Sequence, residues 1–112
     1  MDDLDERPGS LVELYDKLLE RQSSPVVALN RAIAIAQWKG AETGLDEIGK
    51  IEGGDRLSDY VFYAAALGEL ELRCGRREAA RGHFLRAVGL ARNIVERRFL
   101  EKRVEACGRD LG

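Results

Sequence analysis

The sequence predicts an all-α fold, a right-handed superhelical array of about six antiparallel helices, on three observations. Apolar residues recur at helical spacing in successive stretches separated by short breaks. Only two prolines occur in 112 residues, of which 45% are hydrophobic and 34% charged, the balance of a helix-rich globular chain and not of a disordered one. Gly40 and Gly75 stand 35 residues apart, each between a longer helix and a more amphipathic one, which is the spacing of repeated helix pairs. The length suits one folded domain, expected over residues 10–112, with residues 1–9 as a flexible tail ending in Pro8-Gly9.

The first helix is predicted from Ser10 to about Gln22. Ser10 with Glu13 forms a capping box, and Leu11, Leu14, Tyr15, Leu18 and Leu19 repeat at helical spacing. Ser24-Pro25, an N-cap with proline at the first helical position, opens a second helix from Val26 to Trp38 with Val26, Leu29, Ile33 and Ala36 on one stripe, and Gly40 ends it. Leu45, Ile48 and Ile51 mark a short third helix within Glu42 to Ile51, weakened by Gly44 and Gly49 and followed by the loop Gly53-Gly54-Asp55. Leu57 to Cys74 reads as a long fourth helix, apolar nearly all round and so buried on two sides, with Gly75 supplying a left-handed C-cap. Arg77 to Ala91 is the fifth, with Ala79, Ala80, Phe84, Ala87, Val88 and Ala91 on one face. Asn93 caps a sixth that runs to about Cys107, with Phe99, Leu100, Val104 and Cys107 inward and its basic residues mostly outward. Gly68, Gly82 and Gly89 lower helix propensity, and close packing of helix axes is the expected return.

Helices four and five fit a tetratricopeptide unit, in which W-x2-L-G-x2-Y precedes A-x3-F. Leu67-Gly68 supplies the L-G pair, and Ala80 with Phe84 supplies A-x3-F; Ala64, Glu71 and Arg92 stand where Trp, Tyr and Pro are usual. The preceding pair is degenerate, with Leu45 and Gly49 at the positions of Ala80 and Phe84. The first and last helices are expected to seal the ends of this short array.

Charge is divided along the chain. Residues 1–60 hold 7 basic and 13 acidic side chains, residues 61–112 hold 11 and 7, and the span from Arg73 to Arg103 alone holds 10 and 3. Charged residues interrupt every apolar stretch, and the start Met1-Asp2-Asp3-Leu4-Asp5-Glu6 is acidic where a signal peptide is basic, so no membrane association and a cytoplasmic location are expected. Cys74 and Cys107 are too few and too far apart for a zinc spacing and read as small apolar residues and not as a disulfide. His83 is the only histidine and has no carboxylate at i+4, where Ala87 stands. With no phosphate loop, no H-E-x-x-H and no nucleophile elbow, neither an enzyme, a cofactor, a metal nor a small-molecule substrate is expected.

Four stretches together carry a resemblance to one family: Glu13 to Leu19 (ELYDKLL), Ser24 to Ala34 (SPVVALNRAIA), Leu72 to Arg76 (LRCGR) and Asn93 to Leu100 (NIVERRFL). They resemble the C-terminal tetratricopeptide-like extension of bacterial RNA polymerase sigma factors of the extracytoplasmic-function type, over about residues 11–105. The resemblance implies a non-enzymatic protein-interaction domain acting in transcription initiation or its regulation. The partner it implies is RNA polymerase, the sigma regions of the parent chain, or a regulator. Nothing in the 112 residues resembles the segments of that family that bind core polymerase or read promoter DNA.

Candidate site residues follow from placement on the helices. Asn30 and Arg31 on the second helix, with Tyr60 and Tyr63 near the start of the fourth, are expected to line a groove between helix pairs and bind a partner. The alternative for Asn30 and Arg31 is an internal hydrogen bond to neighbouring helices, and for the tyrosines a place in the core. Glu96, Arg97 and Arg98 offer a charged contact to a partner, or else pair within the fold. Direct contact of the basic second half with nucleic acid is the competing function, although no aromatic interleaving accompanies its charge. A stand-alone scaffold unrelated to transcription is the third.

Overall fold

A computed structural model describes residues 9–108. Among them lie six α-helices and no strand: α1 (Ser10–Arg21), α2 (Pro25–Lys39), α3 (Ala41–Gly49), α4 (Val61–Arg73), α5 (Arg77–Leu90) and α6 (Ile94–Gly108), with a short 3-10 turn over Gly54–Leu57. The all-α expectation therefore holds. Apart from Gly9, the expected tail lies outside the described residues, as do the last four positions of the expected domain. The chain divides into two compact units, Met1–Leu57 and Ser58–Gly112. In each, the middle helix packs against the helix before it and the helix after it.

In the first unit, α1 begins differently from its sequence pattern. Gly9 is the N-cap, with no side-chain cap hydrogen bond, and the backbone N–H of Glu13 donates to the Gly9 carbonyl at 3.1 Å. Ser10 is thus the first helical residue and not the cap of a capping box. Val12 is the buried residue of α1, packed with Ala34, Ile35 and Tyr15, whereas Leu11, Leu14 and Leu18 are exposed. These leucines stay exposed because α1 packs chiefly on one helix of its unit, α2, and one neighbour cannot cover so wide an apolar face. The start of α2 follows the sequence: Ser24 Oγ accepts from the Val27 N–H at 3.3 Å, with Pro25 at the first turn. Lying between α1 and α3, α2 buries Leu29, Ala32, Ala34, Ile35 and Ala36, more than the single stripe expected, while Val26 is exposed. Its alanines let α3 approach closely, since a Cβ at Gly44 would fall 2.5 Å from Ala36 Cβ and 3.1 Å from Ala36 Cα. The helix α3 closes at Gly49, so Ile51 follows it as a half-buried loop residue and not as a helical one.

In the second unit, α4 starts at Val61 and not at Leu57. Leu57 is buried in the 3-10 turn, and Ser58-Asp59 intervene, residue types whose side chains compete with helical hydrogen bonding. Its other end is a Schellman closure. Gly75, at φ +82°, donates to the Leu72 carbonyl, and Arg76 donates to that of Glu71, both at 2.9 Å. The core joins Val61 and Ala64 of α4, Ala80, Phe84 and Ala87 of α5, and Leu100 and Cys107 of α6. Phe84 is fully buried with its ring against Gly68, where a Cβ would come within 2.8 Å of it, so the L-G and A-x3-F signals meet in one contact. Gly82 and Gly89, by contrast, are exposed and a Cβ at either would meet nothing within 4 Å, so the expected packing role belongs to Gly68 alone of the three. Asn93 caps α6 as expected, its Oδ1 accepting from the Glu96 N–H at 2.8 Å. Phe99, expected inward, is 58% exposed. The buried line of α6 runs through Leu100 and Cys107 with Val104 half-buried, and Phe99 stands a quarter-turn from it.

Candidate functional site

Among the described residues, a cleft lies within each unit. The first, of about 280 Å³, is of mixed polarity and includes Asp16, Leu19, Ser24, Ala28, Arg31 and Glu47 in its walls. Arg31 crosses it from α2: its Nε donates to Asp16 Oδ1 of α1 at 2.6 Å and its Nη1 to Glu47 Oε1 of α3 at 2.9 Å. Lys50 Nζ adds a bond to the other Glu47 oxygen at 3.3 Å. Partial burial of Glu47 opposes its charged form, but the hydrogen bonds from Arg31 and Lys50 outweigh that and hold its carboxyl below the usual value of 4.5. Partial burial likewise works against the Arg31 charge, and the bonds to Asp16 and Glu47 raise its pKa in spite of it. One guanidinium thus ties all three helices of the unit, the internal alternative weighed for it from sequence. Asn30, its neighbour, is exposed on α2.

The second cleft lies between α4 and α6 and holds about 100 Å³, space for one aliphatic side chain. Val61, Ala65 and Leu100 form its inner wall, and Phe62 and Phe99 its rims, at 49% and 58% exposure. The small Ala65 leaves the gap. The helices α4 and α6 run in the same direction here, since Val61 and Ala65 face Glu96 to Leu100 and, further along both, Glu69 meets Arg103. That last pair is bidentate, Arg103 Nε and Nη2 donating to the two Glu69 oxygens at 2.8 and 2.9 Å, and it fastens α6 to α4. The Arg103 guanidinium also lies 5.5 Å from the centre of the Phe84 ring.

Of the residues singled out from sequence, Glu96 is a wall of this cleft, presenting its carbon atoms to it. Its carboxylate accepts from the Arg92 backbone N–H at 2.9 Å and from the Arg92 guanidinium, and those bonds hold it below the usual carboxylate range. Arg92 in turn lies 5.2 Å from the centre of the Phe62 ring. Tyr60 is the N-cap of α4 and stands edge-on to Phe62, the ring centroids 5.5 Å apart. Tyr63 is half-buried on α4. Arg97 and Arg98 are exposed on α6 and, among the described residues, hold no ion pair. Sequence reasoning missed Phe62, Ala65 and Phe99. A stricter reading of the α6 spacing, with Leu100, Val104 and Cys107 fixing the inward direction, would have turned Phe99 outward.

The basic excess of the second half is smaller in space than in sequence. Within that unit Arg76 pairs with Glu71, Arg86 with Asp59 and the Ser58 carbonyl, Arg92 with Glu96, and Arg103 with Glu69. The cysteines are free thiols, Cys74 half-buried and Cys107 buried, and burial pushes the Cys107 thiol up. Among the described residues no three His, Cys, Asp or Glu side chains come together as metal ligands, and no helix is long and apolar enough to cross a membrane.

No family model matches the chain, and no solved structure does. An uncharacterized protein of Rhizobium meliloti (strain 1021) is 38% identical over 92 residues, which is 82% of this chain. The chain spans about a fifth of that relative's length, 21%.

Proposed function

We propose that the chain is a non-enzymatic docking module of a bacterial RNA polymerase sigma factor of the extracytoplasmic-function type, cytoplasmic and built of tetratricopeptide-like helix pairs. It acts in transcription initiation or its control by holding a segment of RNA polymerase, of the sigma regions or of a regulator. The sigma-factor part rests on the Ser24 to Ala34 and Asn93 to Leu100 strings. A relative of which this chain spans 21% fits a module that is one part of a larger protein. The docking part rests on one observation: the apolar cleft of the second unit, with Phe62 and Phe99 exposed at its rims. Burying one aliphatic side chain there would stabilise a complex by about 1.5–3 kcal/mol. Tyr60 stands beside this cleft, and Glu96 is part of its wall. Asn30 belongs to the first unit, whose Arg31 is occupied by its own carboxylates, so the groove expected around these two contributes less to docking.

The test is retention of purified core polymerase and of the sigma regions on the immobilised chain. The wild-type chain is expected to retain at least one of them, and Phe99→Asp to release it. Retention of neither by the wild type would overturn the sigma-factor reading, and unchanged retention by Phe99→Asp would remove the cleft from it.

A further inference from the structure

We infer that the cleft between α4 and α6 takes an amphipathic helical segment of a protein partner that is acidic, with an aliphatic residue as its anchor. This deepens the docking reading and rests on it. The anchor is set by size and chemistry: about 100 Å³, walled by Val61, Ala65 and Leu100 and by the carbon atoms of Glu96, admits a branched aliphatic side chain and offers it no hydrogen bond. The parallel course of the two walls makes a channel along the helices, which suits a helix laid lengthwise with one or two anchors on one face.

The acidity is set by what surrounds the cleft. By helical spacing, Val95, Arg98 and Lys102 flank Phe99 on the side away from Leu100. Arg98 and Lys102 are one turn apart, exposed, and among the described residues hold no ion pair. Arg97 falls on the far side of α6, and the exposed Glu101 and Glu105, three residues beyond Arg98 and Lys102, lie further round the helix from Phe99 than those two cations. On the opposite flank, the carboxylates nearest the cleft are already matched: Glu96 by Arg92, and Asp59 by Arg86 at 3.8 Å. The charge nearest the apolar slot is therefore positive, and Val95, 74% exposed, extends the apolar surface between it and the rim. A partner with glutamates or aspartates flanking its aliphatic anchor meets both features at once.

Single-stranded nucleic acid is the rival occupant, since cations beside aromatic rings also serve it. The geometry disfavours it. Successive bases need successive free ring faces, and of the two rim rings Phe62 is already engaged by the Arg92 guanidinium at 5.2 Å and by the edge-to-face Tyr60 contact, which leaves Phe99 alone. A concave slot of one side chain's volume also suits an aliphatic anchor better than a planar base.

The test uses the full chain and a fluorescent helical peptide with leucines at i and i+4 flanked by glutamates. A second peptide has the glutamates replaced by lysines, a third has the same composition scrambled, and an oligo-dT strand serves as the nucleic-acid probe. Anisotropy is expected to report binding of the first peptide, weakened at least about tenfold by charge replacement, by scrambling, by Arg98→Glu with Lys102→Glu, and by Ala65→Leu, which fills the slot. Ala65→Leu should leave helical circular dichroism unchanged; if it does not, Phe99→Ala at the exposed rim replaces it. No binding of the acidic peptide, equal binding of the lysine or scrambled peptide, tighter binding of oligo-dT, or a self-association in sedimentation that Ala65→Leu abolishes would each overturn the inference. Its failure differs from failure of the docking reading. If polymerase or sigma regions are retained through the cleft while acidic peptides do not bind, the site stands and this chemistry falls; acidic-peptide binding without their retention removes the sigma-factor role instead.

Discussion

The two three-helix units answer the same packing problem in different ways. In the first, small residues bring the middle helix against the next, Gly44 on Ala36, and a cleft of mixed polarity is crossed by Arg31 between Asp16 and Glu47. In the second, an aromatic ring fills the space between axes, Phe84 on Gly68, and the cleft left between the outer helices is apolar and open. A cleft whose charged groups are satisfied by their own chain has little left to offer a partner, whereas an apolar slot in water gains by being filled. The two candidate sites named by sequence therefore differ in setting: Arg31 is tied to carboxylates of its own unit, and Glu96 borders an open apolar slot.

The largest effects are expected where helices pack closest within each unit. Gly68→Ala should destabilise the second unit by about 1–3 kcal/mol, because its Cβ would press on a ring that is fully buried. Gly44→Ala should cost a similar amount, about 1–3 kcal/mol, by forcing the backbones of α2 and α3 apart. Urea unfolding of each variant measures both. Equal stability of Gly68→Ala and wild type would mean that Phe84 can move, and the contrast between ring-filled and small-residue packing would lose its basis.

A smaller effect separates the units by pH. The Glu47 carboxyl is held below its unfolded value, so its contribution to stability is present above about pH 4.5 and is lost as the pH falls through its depressed folded pKa. Arg31→Ala weakens that dependence along with the bridge, leaving the Lys50 bond to Glu47, at about 1 kcal/mol near neutral pH, a modest figure because the groups are partly solvated. Comparing stability at pH 7 and pH 3 for wild type and Arg31→Ala is the check: the variant's deficit should shrink at the lower pH. A deficit independent of pH would mean that the Arg31 side chain acts by packing and not by charge.

Much of this architecture was legible in the sequence. Helix number, the Ser24-Pro25 and Asn93 caps and the Gly75 closure depend on local chemistry, which spacing and residue type report. What was not legible depends on neighbours. Ser58-Asp59 read as a continuation of an apolar helix because the buried Leu57 precedes them, yet Leu57 belongs to a separate turn. The leucines of α1 repeat at helical spacing, but the number of helices that cover them is a tertiary fact. The partners of Arg31 lie 15 and 16 residues away on two other helices, and no short-range pattern points to them. The apolar cleft was invisible for a related reason: it exists because Ala65 is small where α4 and α6 face each other, and only the pairing of those helices makes that matter.

The smallest expected effect runs the other way. Gly82 and Gly89 stand exposed on α5 with open space beyond them, so Gly82→Ala and Gly89→Ala should each stabilise by about 0.5–1 kcal/mol, read as a rise in the thermal midpoint. Loss of stability in either would mean that the site is covered by something, and would sharpen the map of which faces of the second unit are open.

Docking at the second unit in preference to the first is tested most directly by amide hydrogen exchange of the chain with and without purified core polymerase or sigma regions. New protection is expected over Val61 to Ala65 and Glu96 to Leu100, with Asp16, Arg31 and Glu47 unchanged. Protection centred on Asp16, Arg31 and Glu47, with the α4 and α6 segments unaffected, would contradict it.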